Sequence, residues 1–237
     1  MNRFSQALRL ELTLQVRQKF LHAAVFSGFI WLAVLLPMSR SLRSAAEPYI
    51  LIGDISIIGF FFIAGTVFFE KQEHTLGAVI CTPLRFREYL SAKLVVLLAI
   101  SLVVGVGVST VANGFHYRPL PLLVGVVLGS LLMLLSGFLT SLPFASISDW
   151  FLAATIPLAI LTLPILGFSG LWNTPGLYVI PTYGPLLLFG AAFGQVELTP
   201  WLAVYAVGYP VLGIAGLSWL CKIAFGKYVV AQSGGMS

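Results

Sequence analysis

Six long apolar runs divide this chain, and they constrain its fold more than any other feature. An α-helix rises about 1.5 Å per residue, so roughly 20 apolar residues cross the ~30 Å hydrocarbon core of a bilayer. None of the runs alternates between polar and apolar residues over ~10 positions, as the strands of a membrane barrel do. The sequence therefore predicts an all-α polytopic membrane protein with six transmembrane helices. The predicted spans are Leu21–Met38, Tyr49–Phe69, Leu94–Asn113, Leu120–Thr140, Trp150–Leu171 and Trp201–Ile223.

The composition supports a membrane protein and excludes most other classes. The chain is 59% hydrophobic and 9% charged, with a mean hydropathy of +0.99. Soluble domains, in contrast, carry about 25% charged residues. The net charge of +5 does not indicate nucleic-acid binding, because the basic residues lie between apolar runs and not in a patch. Residues 1–237 are therefore interpreted as a single transmembrane domain.

No pattern of side chains indicates a metal, a cofactor or catalysis. The histidines His22, His74 and His116 are scattered along the chain, and Cys81 and Cys221 lack ligand spacing. The sequence contains neither the nucleotide-binding motif G-x-x-x-x-G-K-[ST] nor a hydrolase motif. We therefore expect a transport or scaffold protein without a cofactor of its own, in which both thiols are incidental.

Lysine and arginine are distributed unequally between the two sides, which predicts the orientation of the chain. With a cytoplasmic N-terminus, the outer segments hold only Arg40, Arg43 and Arg118. We therefore predict a multi-pass protein of the bacterial-type cytoplasmic membrane with both termini cytoplasmic. A signal peptide cleaved near Ser44–Glu47 is the alternative, which the length of the preceding apolar run disfavours. The inner segments hold Arg3, Arg9, Arg17, Lys19, Lys71, Arg85, Arg87, Lys93, Lys222 and Lys227.

The N-terminal segment Leu8–Arg17 alternates between apolar and polar residues, a pattern typical of a strand. A lone strand at the membrane surface has no partner for its backbone groups, however, and an open edge is costly there. We therefore predict that residues 1–20 form an interfacial helix along the inner leaflet, with nearby basic residues holding it to the headgroups.

The segment between the second and third spans carries an unusual share of the charge. A charge at the bilayer centre costs about 2.5–3.5 kcal/mol, so residues 70–93 must form a cytoplasmic loop. An apolar stripe within it predicts a short amphipathic helix, and Thr82–Pro83 predicts the start of a second one. The stripe fits a lipid surface and the groove of a soluble partner equally well. The charged residues are Glu70, Lys71, Glu73, Arg85, Arg87, Glu88 and Lys93, and the stripe is Leu76, Val79, Ile80 and Pro83.

The stretch "EKQEHTLGAVICTPLRFREYLSAK", from Glu70 to Lys93, resembles the loop between the second and third spans of type-2 ABC exporter permeases. The N-terminal "LRLELTLQVRQKF" is similar to the start of their small drug-export branch, often named for fluoroquinolone export. The six-span plan and the proline-rich connection before the last span are similar too, so the resemblance covers nearly the whole chain. His74 departs from the family, which commonly has glycine before "TL".

The resemblance implies that the charged loop docks into a separate ABC ATPase subunit as a coupling helix. ATP and magnesium would then be bound by that partner. The working unit would contain two permeases, either identical or related, and movement of the loop would tilt the spans in alternating access. The resemblance assigns the coupling role to Glu70, Thr75, Leu76, Pro83 and Leu84, and the apolar stripe adds Ile80.

Three residues inside the spans are candidates for the transport path or for a helix interface. Asp54 is the only acid well inside a predicted span, and it is expected either to make a helix contact near the outer end or to line the path. Pro157 and Pro164 each remove a backbone donor and kink the fifth span. Asp149 is most simply the N-cap of that span, with a coupling role as the alternative.

Residues 174–200 are apolar but interrupted too often by proline and glycine for one straight span. We predict a pair of short helices that dip into the outer leaflet as a re-entrant hairpin, which the family resemblance also implies. A loop on the outer surface is the alternative.

Together, these features predict the permease subunit of an ATP-driven exporter for a hydrophobic or amphiphilic substrate, such as a drug-like molecule or a lipid. Phenylalanine clusters at Phe60–Phe62 and Phe68–Phe69 suit such a cargo, although phenylalanines in a span also serve to pack helices. The alternatives are a haem-export or cytochrome-assembly permease and a non-transporting membrane anchor for an ATPase.

Overall fold

The computed structural model describes residues 3–73, 75, 86–172 and 174–230. Within these ranges every regular element is helical, which confirms the all-α prediction. A π-helical turn, Gly226–Val230, continues the last helix. In chain order the α-helices are α1 (Arg3–Arg17), α2 (Phe20–Leu35), α3 (Arg40–Gln72), α4 (Phe86–Asn113), α5 (Pro119–Ser141), α6 (Ile147–Phe168), α7 (Tyr183–Ala192) and α8 (Pro200–Phe225).

Five helices of the described part, α3 to α6 and α8, are long and apolar enough to cross a membrane. The pair α1 and α2 passes the same test only together, and the chain bends by 62° between them. Counting that pair as one span gives six spans, whereas the prediction assigned only Leu21–Met38 to the first span and residues 1–20 to an interfacial helix. The chain is therefore a multi-pass membrane protein, and its predicted first span, Leu21–Met38, corresponds to the slightly shorter helix α2.

The helix α3 has 33 residues and begins nine positions before the predicted span Tyr49–Phe69. The predicted start was wrong because Arg43, Glu47 and Pro48 are typical of a loop. In the structure, the Arg43 guanidinium donates to carbonyl oxygens at the ends of α2 and α4, and Glu47 is buried. Pro48 lies inside the helix. Tertiary contacts thus extend α3 through residues that would end an isolated span.

The middle of α3 is a π-helical turn, Ser56–Phe62, which packs against the backbone of α5. A Cβ atom at Gly137 of α5 would lie 2.3 Å from the Phe60 carbonyl oxygen, which no real Cβ contact tolerates. Any side chain at this position would push the two helices apart. Around this contact, α5 forms the centre of the bundle and packs against α3, α4, α7 and α8.

The short helix α7 is buried along its whole length. It packs on α5 and α8, and Gly125 of α5 leaves space for the ring of Phe189, which would lie 2.7 Å from a Cβ atom there. A 3₁₀ helix, Pro175–Val179, precedes it. The predicted pair of short helices in residues 174–200 therefore consists of one 3₁₀ helix and one α-helix. Only the α-helix is buried inside the bundle. A re-entrant position in the outer leaflet stays a prediction.

The N-terminal segment is helical despite its alternating pattern. In α1, Leu10 and Leu12 are exposed, whereas Glu11 and Gln15 are buried against the bundle. Two polar residues of α1 thus face the bundle, where α4 packs, together with Leu8, whereas Leu10 and Leu12 face outward. The buried Glu11 and Gln15 interrupt the inward face, so the apolar residues of the segment do not form a continuous inward stripe. Its position along the inner leaflet stays a prediction.

Candidate functional site

Three helices meet around a cluster of buried charges at one end of the bundle. The Lys93 Nζ atom of α4 lies 2.7 Å from Oε1 of Glu70 in α3 and 3.1 Å from Oε2 of Glu11 in α1. All three side chains are buried, with 0%, 6% and 5% of their respective surfaces exposed. One ammonium group therefore holds two carboxylates from two other helices. Removing one partner of a buried ion pair costs about 3–5 kcal/mol, because it leaves an uncompensated charge.

Neutral donors complete the cluster. The Tyr89 hydroxyl, one turn before Lys93, donates to Oε2 of Glu70. The Gln15 amide, one turn after Glu11, donates to Oε1 of that residue at 2.8 Å. The Lys93 ammonium also lies 5.2 Å from the centre of the Tyr89 ring, within the range of a cation–π contact. These contacts satisfy the carboxylate oxygens and fix the rotation of α1 and α3 relative to α4.

The cluster joins the two ends of the predicted coupling loop, residues 70–93, whose ends are helical and not loop. Glu70 lies in the last turn of α3, before residues 74–85, and Lys93 lies near the start of α4, after them. The Thr75 hydroxyl donates to the backbone carbonyl of Glu70 at 3.3 Å. The other predicted coupling residues, Leu76, Ile80, Pro83 and Leu84, lie outside the described residues. The structure thus places Glu70 and Thr75 together at the first anchor of this loop.

Lys71, next to Glu70, joins the same end of α3 to a different helix. Its ammonium donates to the carbonyl oxygens of Ser141, Leu142 and Phe144, at 2.9, 2.8 and 2.6 Å. These groups lie at the C-terminal end of α5, where a cation also interacts favourably with the helix dipole. The adjacent residues Glu70 and Lys71 therefore connect the end of α3 to α1 and α4 on one side and to α5 on the other.

Asp54 joins α3 to α2. Its Oδ1 atom accepts hydrogen bonds from the Ser27 hydroxyl at 2.7 Å and from the Trp31 indole at 3.0 Å, and the side chain is 3% exposed. Asp54 was predicted near the outer end of its span, but α3 begins at Arg40, which places Asp54 ~21 Å along the helix axis. This geometry is that of a helix contact, and a role of Asp54 in the transport path stays a prediction.

The two prolines of α6 have different environments. Pro157 is half-buried inside the helix, and Pro164 is buried at its break. Near that break, the Thr182 hydroxyl donates to the carbonyl of Leu161. A neighbouring segment therefore satisfies a carbonyl close to the interrupted helix, as breaks within spans require. Asp54 contacts α2 and the break at Pro164 contacts the start of α7, so these two predicted path residues belong to separate helix contacts.

Asp149 is not the N-cap of the fifth span. The helix begins at Ile147, and the Ser146 hydroxyl accepts a hydrogen bond from the Asp149 backbone N–H and donates one to its carboxylate. Ser146 is therefore the cap, and Asp149 lies at the third helical position, where its carboxylate accepts from the cap hydroxyl. The prediction was displaced by one turn because the apolar run begins only at Trp150.

The phenylalanines of α3 pack helices together. Phe60 stacks on Trp150 of α6 with ring centres 5.7 Å apart, and Phe61 and Phe68 contact the same indole.

The thiol of Cys221 is also buried and lies 3.5 Å from a backbone carbonyl. No group of side chains that could hold a metal ion occurs among the described residues.

Sequence reasoning did not connect Glu11, Tyr89 and Lys93 to Glu70. The available signal was charge at the margins of apolar segments: Glu11 is the one acid of the N-terminal segment, and Lys93 directly precedes the third span. Buried acids and bases normally occur in pairs, so each isolated charge beside an apolar segment predicts an oppositely charged partner on another helix.

Residues 2–233 match the model of the fluoroquinolones export permease protein family. A fluoroquinolones export permease protein of Mycobacterium tuberculosis (strain CDC 1551 / Oshkosh) is 68% identical over 235 residues, which cover 99% of each chain. A protein of the same description from strain ATCC 25618 / H37Rv has the same identity and coverage. No solved structure matches the chain. These matches confirm the resemblance that the sequence motifs indicated.

Proposed function

The chain belongs to the fluoroquinolones export permease protein family, and we propose that it is the membrane-spanning permease subunit of an ATP-driven drug exporter. The observation that carries this proposal is the match over nearly the whole chain, at 68% identity, to relatives described as fluoroquinolones export permeases. A permease moves its substrate across the membrane and does not transform it chemically. The transported molecule is then hydrophobic or amphiphilic and drug-like, and it leaves from the cytoplasm or the inner leaflet.

The energy source in this proposal is a separate ABC ATPase subunit. The sequence has no phosphate-binding loop, so ATP and magnesium would bind to the partner. Two permeases, identical or related, and two ATPases would form the working unit. Each permease would lie in the cytoplasmic membrane with both termini in the cytoplasm, because ten of its 13 lysines and arginines fall in the segments assigned to that side.

The buried cluster supports a mechanical role for residues 74–85. Glu70 and Lys93 anchor both ends of this segment to one another, and Glu11 anchors them to α1. A displacement imposed by an ATPase on this segment would therefore move the ends of α1, α3 and α4 together. Lys71 would transmit the same movement to the end of α5. Such a rigid connection suits alternating access, in which groups of helices tilt as units.

The proposal is tested by transport in inside-out vesicles that contain this chain and an ABC ATPase that co-purifies with it. Uptake of a fluoroquinolone should require ATP and both chains. It should be lost when the phosphate-binding lysine of the ATPase is replaced by alanine, and a protonophore should leave it unchanged. Uptake that stops with the protonophore and persists with the inactive ATPase would instead indicate a proton-driven permease.

A further inference from the structure

A groove of about 430 Å³ lies between α4 and α8 at the end of the bundle that contains the buried cluster. Each helix contributes one face, with residues at positions i, i+3, i+4 and i+7, which is the spacing of a single helical stripe. Phe86 lies beside the α4 stripe. The α4 residues are Arg87, Leu90, Ser91 and Leu94, and the α8 residues are Ala215, Ser218, Trp219 and Lys222.

The polarity of this groove changes in steps along its length. The two helices run in opposite directions, so the start of α4 lies beside the end of α8. The cations Arg87 and Lys222 therefore occur at the same end of the groove. The hydroxyls of Ser91 and Ser218 follow about one turn further in, and Leu94 and Ala215 form the apolar end. From Arg87 to Leu94 the helix rises ~10 Å.

The two cations at the mouth are available to an anion. Both side chains are exposed, and the ion pairs formed within the described residues involve neither Arg87 nor Lys222. Two neighbouring positive charges at the mouth of the groove favour an anionic ligand. Trp219, which is 64% exposed, lies between them and the apolar end. Tryptophan favours the depth of the lipid headgroups, which places this part of the groove at the membrane interface.

We propose that this groove binds one anionic phospholipid of the cytoplasmic leaflet. The phosphate would lie between Arg87 and Lys222, the glycerol and ester groups beside the two serines, and one acyl chain along Leu94 and Ala215. This order of charged, hydrogen-bonding and apolar surfaces matches the order of groups in a phospholipid. The most apolar window of the last span is only 17% buried inside the protein, so most of the surface of α8 is not covered by the other helices.

The apolar end distinguishes a lipid from a soluble anion. Inorganic phosphate would use only the two cations and would leave the apolar end without a ligand. A lipid fills both parts, and it would connect α8 to the first turns of α4, next to the anchor at Lys93. The inference concerns a lipid that binds the permease, and it does not depend on which molecule is exported or on what drives export.

The test measures how many phosphatidylglycerol molecules the purified chain retains in native mass spectrometry, with phosphatidylcholine as the zwitterionic comparison. The double variant R87Q/K222Q should bind one phosphatidylglycerol roughly 30-fold more weakly, with phosphatidylcholine binding unchanged. The control R9Q/K227Q removes the same amount of charge at two positions outside the groove lining and should retain the lipid. Equal retention by both double variants would overturn the proposal.

A second variant tests the acyl part of the site. Ala215→Trp keeps both cations but fills the apolar end, and it should also reduce retention of phosphatidylglycerol. If R87Q/K222Q loses the lipid but Ala215→Trp retains it, and millimolar inorganic phosphate competes for the site, the groove binds soluble anions. That result would reject the proposal of a lipid site.

Discussion

Lys93 and Glu70 are 23 positions apart in the chain, yet their charged atoms lie 2.7 Å apart and are buried. The pair closes a loop whose intervening residues include the predicted coupling segment. Glu11 shares the same ammonium, so the cluster connects α1, α3 and α4. Moving one of these helices away from the others would leave a buried charge without a partner. The first prediction concerns this arrangement.

Lys93→Met should destabilise the protein by about 3–5 kcal/mol, because Glu11 and Glu70 would face each other without a cation. The measurement is thermal unfolding of the purified chain in detergent. Lys19→Met, which removes an exposed charge, is the control and should change stability little. Adding Glu11→Gln and Glu70→Gln to Lys93→Met should restore much of the loss. A triple variant as unstable as Lys93→Met would contradict an electrostatic origin.

Leu76→Asp and Ile80→Asp test the predicted docking face of the coupling segment. If these side chains contact an ATPase, a carboxylate there would leave an unpaired charge in the interface, and recovery of the ATPase with the tagged permease should fall about tenfold or more. The variants should still insert into the membrane. Gln72→Asp, at the exposed end of α3, is the control. Unchanged recovery with both variants would mean that the stripe lies on lipid.

Asp54→Asn separates the packing role of this residue from a role in transport. The asparagine oxygen still accepts from Ser27 and Trp31, so folding should be retained, whereas Asp54→Ala should cost about 1–3 kcal/mol. Stability is measured by thermal unfolding and function by fluoroquinolone uptake into vesicles. Full uptake with Asp54→Asn would assign the carboxylate to the α2–α3 contact alone. Lost uptake with normal stability would place its charge in transport.

Gly137→Ala should destabilise the bundle by about 1–3 kcal/mol, because the new methyl group would overlap the Phe60 carbonyl. Gly216 of α8 is a matched control, since a Cβ atom there has no neighbour within 4 Å. Gly216→Ala should be neutral or stabilising by up to about 1 kcal/mol, because alanine favours the helix. Thermal unfolding compares the two variants, and equal effects would contradict the close approach of α3 and α5.

Cys81 tests the orientation of the chain. A membrane-impermeant thiol reagent should leave Cys81 unlabelled in intact cells and should label it after permeabilisation, because residues 70–93 are predicted to be cytoplasmic. Cys221 is buried and should react only after denaturation, which makes it an internal control. Labelling of Cys81 in intact cells would reverse the predicted topology.

The apolar runs predicted the helical class and the five long helices α3 to α6 and α8, because membrane thickness alone sets the required length. Element boundaries depended on contacts that a sequence does not display. Arg43 and Pro48 indicate a loop until the carbonyl groups at the ends of α2 and α4 supply partners for the guanidinium. Asp149 was predicted to be a cap because Ser146 lies outside the apolar run.

The candidate site was predicted only in part for the same reason. The resemblance pointed to Glu70 and the local pattern to the following helix. The partner of Glu70 is Lys93, 23 positions later in the chain, and Lys93 also binds Glu11, 82 positions before it. A single sequence contains the charges without stating which ones pair. Buried charges require partners, so the existence of a cluster follows from Glu11, Glu70 and Lys93, whereas its geometry does not.

The π-helical turn of α3 sets the rotation of the second half of this helix relative to the first half. Such a turn accommodates one residue more than a regular helix, and one residue corresponds to ~100° of rotation. The face carrying Asp54 and the face carrying Glu70 are therefore offset by that rotation relative to an uninterrupted helix. Deleting one residue of the turn, such as Ile57, would restore regular hydrogen bonding and leave Glu70 facing Lys93, whereas winding the same residues as a regular α-helix would turn Glu70 away. A backbone irregularity in mid-helix thus determines whether two charges meet more than a turn beyond it.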